Sequence, residues 1–497
     1  MILQLRLQIV IRRIASHKWV SLVAVMLLGV VLRFWRLGEL PLIGDESYYW
    51  LWSRHLDWAY FDHPAGVAVM TWLSTTLGGP SEVGVRWLNA LLGAGCIALV
   101  WVLGAHMGSR RAGLIAALLV AVGAPYLLTA RFVYTDAIHL FFLLLNLYFF
   151  WRLAREDSPP RLVTVTAFGV SLAALLNTKY SAYLYVLALV ITILIDHRHL
   201  LRERRFWLGV AVATLGLLPV IVWNAANNWA SFRWQLQHAV FSLTGEYSFL
   251  GSVYHALTYL SWPLVVLALL GLGRLRRSSE RLLGLAALFL LLPVLLSPAN
   301  SPRNLSSGLV LLLLLVGTRW PAASQSPWQK GIALLLVVLV AMTAVYGVGT
   351  LLGLSNSSNG PQSSAVVDIR RDATGWREFG PLLAESPGLV FSLDYSIASQ
   401  IWYYSGRPAY TSWGQYRIWG IPQFRDATIV SLDYLPEDLV TLRLQAAFEQ
   451  SNGPRHLYYE GPGVVKEVQI WTAEGLQLHH DAFVQQFDFL TLLEASR

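Results

Sequence analysis

Long apolar segments recur through the first 353 residues of this 497-residue chain, and they constrain its fold more than any other feature. Most are long enough to cross a bilayer as a helix. They lie at 19–37, 84–106, 112–130, 134–151, 162–176, 180–195, 206–224, 256–273, 282–297, 305–318 and 329–353. Charged residues make up only 13% of the chain, about half their share in soluble domains. The pattern predicts an α-helical polytopic membrane protein with about 11 spans, and excludes a soluble, disordered or collagen-like chain.

Basic residues in the connecting loops predict the orientation. With a cytoplasmic N-terminus, the inner loops carry 19 Lys and Arg residues and the outer loops carry 8. The positive-inside rule therefore predicts a multi-pass protein of the plasma (inner) membrane with its N-terminus in the cytoplasm. The eight outer residues are Arg33, Arg36, Arg54, Arg86, Arg131, Lys179, Arg233 and Arg303. Because the basic excess belongs to the apolar part of the chain, we expect no nucleic-acid partner.

Two domains follow from this topology. Residues 1–353 form a membrane domain with long outer loops at 38–83 and 225–255, and residues 354–497 lie outside the cell. The outer part begins with a linker rich in Ser, Asn and Gly and has an acidic excess, 16 carboxylates against 10 basic residues. Short strands at Leu389–Leu393 and Thr428–Leu432 and a helix at Leu439–Gln450 predict a small C-terminal α/β extracytoplasmic domain.

Ionisable residues near membrane depth are costly and usually functional. In this topology, distant positions gather at one face of the membrane, which predicts a site there. The alternative is that outer loops simply contain polar residues. The gathered residues are Asp45, Glu46, Asp62, His63, Asp136, Lys179 and Arg303.

Three carboxylates are candidate catalytic residues. Asp45 and Glu46 follow the first span almost immediately, after Gly44, and a carboxylate at a membrane face can act as general base or hold a divalent cation. Glu46 could instead cap a short helix. Asp136 lies at the outer start of the fourth span, where an N-cap is the alternative. If a divalent metal ion is bound, Asp45, Asp62 and His63 are its candidate ligands.

Lys179 is the main candidate for binding a phosphate. It lies in a tight outer turn, although most basic residues lie in the inner loops. A phosphate ligand would explain a cation at this position. A lysine reaching the lipid headgroups is the alternative. Arg54 and His63 are further phosphate-binding candidates. The chain has no Walker loop, GxSxG elbow or dinucleotide fingerprint, so we expect no nucleotide cofactor.

Several motifs together carry a resemblance to a known family. They are Gly44-Asp45-Glu46, Tyr60-Phe61-Asp62-His63-Pro64, Thr135-Asp136, Thr178-Lys179-Tyr180 and Gly406-Arg407-Pro408. In this combination the chain resembles bacterial glycosyltransferase family 39, relatives of protein O-mannosyltransferases and of the aminoarabinose transferase that modifies lipid A. The resemblance implies the C-type glycosyltransferase architecture and a polyprenyl-phosphate sugar donor. It also implies that Asp45 is the catalytic carboxylate and Asp136 a second acidic position.

The function expected from residues and resemblance together is an inverting glycosyltransferase embedded in membrane lipids. It would move a sugar from the polyprenyl-phosphate donor to an envelope acceptor, which is a lipid, a glycan or a protein hydroxyl. Two alternatives come from other classes: a flippase or transporter of lipid-linked glycans, and a non-catalytic envelope assembly protein. Charges gathered at one face rather than near the midplane fit a transporter poorly.

Overall fold

A computed structural model describes residues 20–244, 278–296, 307–311, 314, 342, 364–432, 435–461 and 464–488. The predicted spans at 256–273, 305–318 and 329–353 lie wholly or mostly outside the described residues. So do Arg303 and the predicted domain boundary at residues 353 and 354.

The described membrane region is helical, apart from turns, an isolated β-bridge between Ala59 and Pro64, and one short 3₁₀ segment at Arg198–Arg202. Its α-helices, in chain order, are α1 (Val20–Phe34), α2 (Gly44–Arg54), α3 (Gly66–Gly78), α4 (Glu82–Met107), α5 (Arg110–Val122), α6 (Ala124–Arg131), α7 (Thr135–Leu153), α8 (Leu162–Leu176), α9 (Ala182–Asp196), α10 (Arg204–Leu215), α11 (Leu218–Ala226), α12 (Ala230–Thr244) and α13 (Ser278–Leu296).

Within the described ranges, α4, α7 and the combined α10–α11 are long and apolar enough to cross a membrane. The bent pair α5–α6 makes a fourth if it counts as one span, and α1, α8 and α9 are apolar but shorter. The predicted α-helical membrane region is therefore confirmed. The count of eleven spans stays a prediction.

The predicted span at 112–130 is broken near Gly123, where α5 and α6 meet at 59°. Pro125 lies in the first turn of α6, a position that needs no amide donor. The last carbonyls of α5 would lack partners at such a break. The buried guanidinium of Arg33 donates to the carbonyl oxygens of Val120 (3.0 Å) and Ala121 (3.1 Å). The bend is thus stabilised by a buried cation that belongs to α1.

The described part after residue 363 contains a five-stranded sheet packed with helices. Its elements are α14 (Ser364–Ala373), α15 (Trp376–Ala384), β1 (Leu389–Ser392), α16 (Tyr395–Ser405), β2 (Ala409–Tyr410), α17 (Gly414–Trp419), β3 (Ala427–Leu432), α18 (Glu437–Ala447), β4 (Phe448–Gly461), β5 (Val464–Leu476) and α19 (His480–Gln486). The strand order is β2-β1-β3-β5-β4, with β1 parallel to β2 and β3, and β5 antiparallel to β3 and β4. We call residues 364–488 the outer domain, after the orientation that the sequence predicts.

Two sequence predictions change in detail. The expected helix Leu439–Gln450 ends at Ala447, because Phe448 adopts an extended conformation and begins β4, where it pairs with Leu476. The expected outer loop at 38–83 is mostly helical and contains α2 and α3.

The outer domain packs directly on α2. The Cα of Gly44 lies so close to α16 that an added Cβ would be 2.1 Å from the Cβ of Ser396, so only glycine fits there. The backbone N–H of Leu42 donates to the hydroxyl of Tyr404 (2.6 Å). Arg377 forms an ion pair with Glu82 at the start of α4 (2.8 Å). Close packing, a buried hydrogen bond and a charge pair thus hold the two parts together.

Candidate active site

The first turn of α2 carries two adjacent carboxylates, Asp45 and Glu46, in different surroundings. Glu46 is completely buried and makes a bidentate pair with Arg86, with N–O distances of 2.8 and 2.6 Å. It also accepts hydrogen bonds from the backbone N–H groups of Ile43 (3.1 Å) and Val133 (2.9 Å). All four partners are protein groups, so Glu46 caps α2 and fixes it against the start of α7. This geometry supports the capping alternative, and we treat Glu46 as a structural residue.

Asp45 is half-buried and faces the outer domain. The hydroxyl of Tyr395, the first residue of α16, donates to Asp45 Oδ1 at 2.9 Å. Asp45 is in the first turn of α2, and helix N-termini favour negative charge. A half-buried carboxylate at the junction of two domains is placed where a general base can reach an acceptor hydroxyl.

Asp62 lies beside Asp45 and contacts three separate parts of the chain. Its Oδ2 accepts from the Tyr48 hydroxyl (2.9 Å) and the Trp413 indole N–H (3.3 Å), while its carbonyl oxygen accepts from the Gln235 side chain (2.8 Å). Burial raises the pKa of Asp62 to about 7, the two side-chain donors oppose that shift, and the charge of Asp45 adds to it. Asp62 therefore titrates near neutral pH.

The expected metal site is not assembled among the residues that the structure describes. No three His, Cys, Asp or Glu side chains there are grouped so that they could hold an ion. Asp45 accepts a hydrogen bond from Tyr395, and Asp62 accepts from Tyr48 and Trp413. The His63 ring lies beside Tyr49, with 6.3 Å between ring centroids. We derive no catalytic step through a metal.

Asp136 and Lys179 form a buried ion pair with an N–O distance of 2.9 Å. Asp136 is in the first turn of α7, and Lys179 is in the turn between α8 and α9. The His139 ring, one turn further along α7, is hydrogen-bonded to the Thr178 hydroxyl at 3.0 Å. That hydroxyl donates to the Leu175 carbonyl, so His139 Nδ1 must carry the proton. Two contacts from α7 thus fix the turn that carries Lys179.

The same turn is bound to the first outer loop, since the backbone N–H of Gly66 donates to the carbonyl of Asn177 (2.8 Å). Glu46 in turn binds Val133, three residues before Asp136. These contacts join the elements that carry Asp45, Asp136 and Lys179. Whether Asp45 and Asp136 approach within about 10 Å, a span that one sugar phosphate could bridge, stays a prediction.

Arg54 is placed away from Asp45. At about 100° per residue, the nine residue steps from Asp45 to Arg54 put Arg54 roughly 180° around α2. Its exposed guanidinium lies over the Trp50 ring, 5.8 Å from the centroid. This placement does not support a shared phosphate site with Asp45.

A cavity of about 640 Å³ opens beside the Lys179 turn. Its walls are mainly apolar side chains of α3, α4 and α7, and residues 56–58 also line it. Asn177 and Thr178, which precede Lys179, also line it. Val69, Leu73 and Trp58 in its wall are exposed at the protein surface. The cavity can hold an apolar chain whose polar end reaches the Lys179 turn.

Sequence reasoning missed Tyr395 and Trp413, the outer-domain donors to Asp45 and Asp62. They follow these carboxylates by about 350 residues and belong to no motif that predicts a contact. The only signal was the aromatic-rich composition of the segment around Gln415–Trp419.

The fold is that of ArnT, a C-type glycosyltransferase. The crystal structure of ArnT from Cupriavidus metallidurans in the apo state matches with a TM-score of 0.61 at 17% identity, over 92% of this chain and 98% of that one. The structure of the same protein bound to undecaprenyl phosphate matches with a TM-score of 0.62 at 16% identity, over 90% and 97%.

Two sequence comparisons give partial matches. Residues 62–223 match the family described as dolichyl-phosphate-mannose-protein mannosyltransferase. The lipid A galacturonosyltransferase RgtD of Rhizobium johnstonii is 29% identical over 197 residues, 38% of this chain and 40% of that relative. The chain is thus matched to less than half of the length of RgtD. Together these matches confirm the resemblance to glycosyltransferase family 39.

Proposed function

We propose that the protein is an integral-membrane inverting glycosyltransferase that moves a sugar from a polyprenyl-phosphate donor to a hydroxyl of an envelope acceptor. One observation carries this proposal. A half-buried aspartate, Asp45, and a Lys179–Asp136 ion pair lie on elements that contact one another, and an apolar cavity borders the turn that carries Lys179. The site offers a base, a cation for phosphate and a place for a lipid tail.

The donor would enter from the bilayer. The apolar cavity suits a polyprenyl chain, and exposed apolar side chains in its wall give a lateral path from lipid. The ArnT structure with undecaprenyl phosphate supports a donor of this class. Lys179 would bind the donor phosphate and share its charge between that phosphate and Asp136.

The chemistry uses the protein's own side chains. The acceptor oxygen attacks the anomeric carbon from the face opposite the lipid phosphate, and its proton passes to Asp45. As the new C–O bond forms, the bond between the anomeric carbon and the phosphate oxygen breaks. The phosphate leaves with that electron pair, and Lys179 stabilises its charge. The products are a glycosylated acceptor with inverted configuration and a polyprenyl phosphate.

The site would lie at the outer face of the inner membrane, with residues 354–497 outside. The asymmetry of 19 to 8 basic residues supports this orientation. Four of the eight outer residues, Arg33, Arg86, Arg131 and Lys179, are buried in hydrogen bonds or ion pairs rather than displayed on the surface. Protease added to right-side-out spheroplasts should cleave the outer domain. Cleavage only in inverted vesicles would reverse the orientation.

The acceptor class is tested in a deletion strain. Mass spectrometry of its envelope lipids and glycoproteins should show one sugar-bearing species lost. The wild-type gene should restore that species, and the Asp45→Asn gene, expressed at the same level in the membrane, should not. RgtD suggests lipid A as the first acceptor to inspect, ahead of protein hydroxyls and other glycans. Restoration by the Asp45→Asn gene would contradict the proposed function.

A further inference from the structure

Two aromatic residues of the outer domain hold the two carboxylates at the candidate active site. The Tyr395 hydroxyl donates to Asp45 at 2.9 Å, and the Trp413 indole donates to Asp62 at 3.3 Å. Their ring centroids are 4.9 Å apart, at an interplanar angle of 32°. One packed aromatic pair therefore contacts both aspartates.

This pair is held in place from several directions. Trp413 also packs on Trp234 of α12, with ring centroids 5.1 Å apart, and Tyr395 packs on Tyr48 of α2 at 4.8 Å. The backbone next to Tyr395 is fixed because Asp394 caps α16 through the N–H of Ser396 (2.7 Å). Neither ring can turn without disturbing packing at the junction of the two domains.

A hydroxyl that donates to one oxygen of a carboxylate has two effects on a base. It fixes the side-chain rotamer, and it sets the direction in which the carboxylate faces its reaction partner. Base catalysis depends steeply on such placement, because a small displacement of the reacting atoms costs much of the rate. The residues that hold a catalytic group are then as necessary as the group itself.

We propose that Tyr395 and Trp413 are positioning residues for Asp45 and Asp62, so that the outer domain completes the active site of the membrane domain. This inference rests on the proposed function. It assigns to the outer domain a part in turnover, beyond any part in binding the acceptor.

The test is Tyr395→Phe in the purified full-length protein, which removes one hydroxyl and keeps the ring. Loss of a hydrogen bond to a charged group should lower kcat by about 10- to 100-fold. KM for the donor should stay within about twofold, because Tyr395 does not contact the proposed phosphate site. Trp413→Phe should also lower kcat, by a smaller factor, because its hydrogen bond to Asp62 is longer.

Tyr416→Phe is the matched control. Tyr416 belongs to the same aromatic cluster and stacks on Tyr48 with centroids 6.1 Å apart, but its hydroxyl is hydrogen-bonded to Ser399 at 2.8 Å rather than to a carboxylate. Its kcat should stay within about twofold of wild type. All rates are normalised to monodisperse protein from size-exclusion chromatography, so that a folding loss is not counted as a catalytic one.

Two outcomes overturn the inference. One is an unchanged kcat in both Tyr395→Phe and Trp413→Phe. The other is an equal loss in Tyr395→Phe and Tyr416→Phe, which would indicate packing alone. Asp45→Asn separates these results from failure of the proposed function. An inactive Asp45→Asn with a fully active Tyr395→Phe removes only the positioning role, whereas an active Asp45→Asn removes the proposed function itself.

Discussion

The two sides of helix α2 carry neighbouring carboxylates that differ in their surroundings and in their roles. On the side that packs against the membrane helices, Glu46 is fully buried and bound by Arg86 and two backbone amides. On the side that faces the outer domain, Asp45 is half-buried and has the Tyr395 hydroxyl on one oxygen. One residue step, about 100° of helix rotation, separates a structural carboxylate from a candidate base. Complete burial among protein donors makes Glu46 part of the fold, whereas the half-buried position of Asp45 at the domain junction leaves it within reach of a substrate.

The largest effect is expected on the side of Asp45. Asp45→Asn keeps the size of the side chain and its ability to accept from Tyr395, but removes the base. We expect kcat to fall by about 10²- to 10⁴-fold with normal membrane insertion and thermal stability. Kinetics and a thermal melt on the same preparation measure kcat and thermal stability. An unchanged kcat in Asp45→Asn would mean that Asp45 is not the base, and the proposed difference in role between Asp45 and Glu46 would be wrong.

The corresponding change on the other side should affect folding. Glu46→Gln leaves the buried Arg86 without its charge partner, which typically costs about 3–5 kcal/mol of stability. We expect a lower Tm and a lower yield of monodisperse protein, while kcat per folded molecule stays within about threefold. A stable Glu46→Gln variant with no activity would instead make Glu46 a catalytic residue.

Lys179 tests the phosphate site. Lys179→Ala should raise KM for the donor about 10- to 100-fold, because a charge-assisted hydrogen bond to phosphate is lost. Lys179→Arg should recover part of that affinity. Asp136→Asn serves as a control for the ion pair, since it retains the cation while removing its partner. Unchanged donor kinetics in Lys179→Ala would exclude the residue from the site.

Asp62 gives a pH-dependent effect on stability. Its folded pKa of about 7 lies above the usual value of 3.8, so the folded protein holds this proton more tightly than the unfolded chain does. The resulting stabilisation is complete below pH 4 and is lost as pH rises to about 7. The Asp62→Asn variant has no titrating group at this position. Its Tm should therefore rise relative to that of wild type, by an amount on the order of 2 °C, as the pH increases from about 4 to about 7. A constant Tm difference from pH 4 to 8 would contradict the raised pKa.

The smallest effect is expected at Arg54, on the side of α2 away from Asp45. Arg54→Ala removes an exposed cation that contacts the Trp50 ring. Donor KM and kcat should both stay within about twofold of wild type. A tenfold rise in donor KM would place the phosphate near Arg54 and require a different donor path.

Much of the fold could be predicted because the bilayer imposes a length on each span, and hydropathy reports that length directly. The broken span near Gly123 could also have been predicted from Pro125, whose missing N–H suits the start of a helix. Asp45, Asp136 and Lys179 could be proposed as site residues because the predicted topology alone assigns them to one face. Their partners could not be found this way. The Asp136–Lys179 and Asp45–Tyr395 contacts join positions 43 and 350 residues apart, and packing of whole helices decides such contacts.

The central claim is that this site releases polyprenyl phosphate from a lipid-linked sugar with Asp45 as the base. The most direct measurement uses purified protein in lipid nanodiscs, a panel of labelled polyprenyl-phosphate sugars and an extract of envelope acceptors. Release of polyprenyl phosphate is followed over time for wild type and for Asp45→Asn. Our account predicts acceptor-dependent release from at least one donor by wild type, and a rate lower by at least about 10²-fold in Asp45→Asn. No turnover of any donor in the complete panel, or equal turnover by the two proteins, would contradict it.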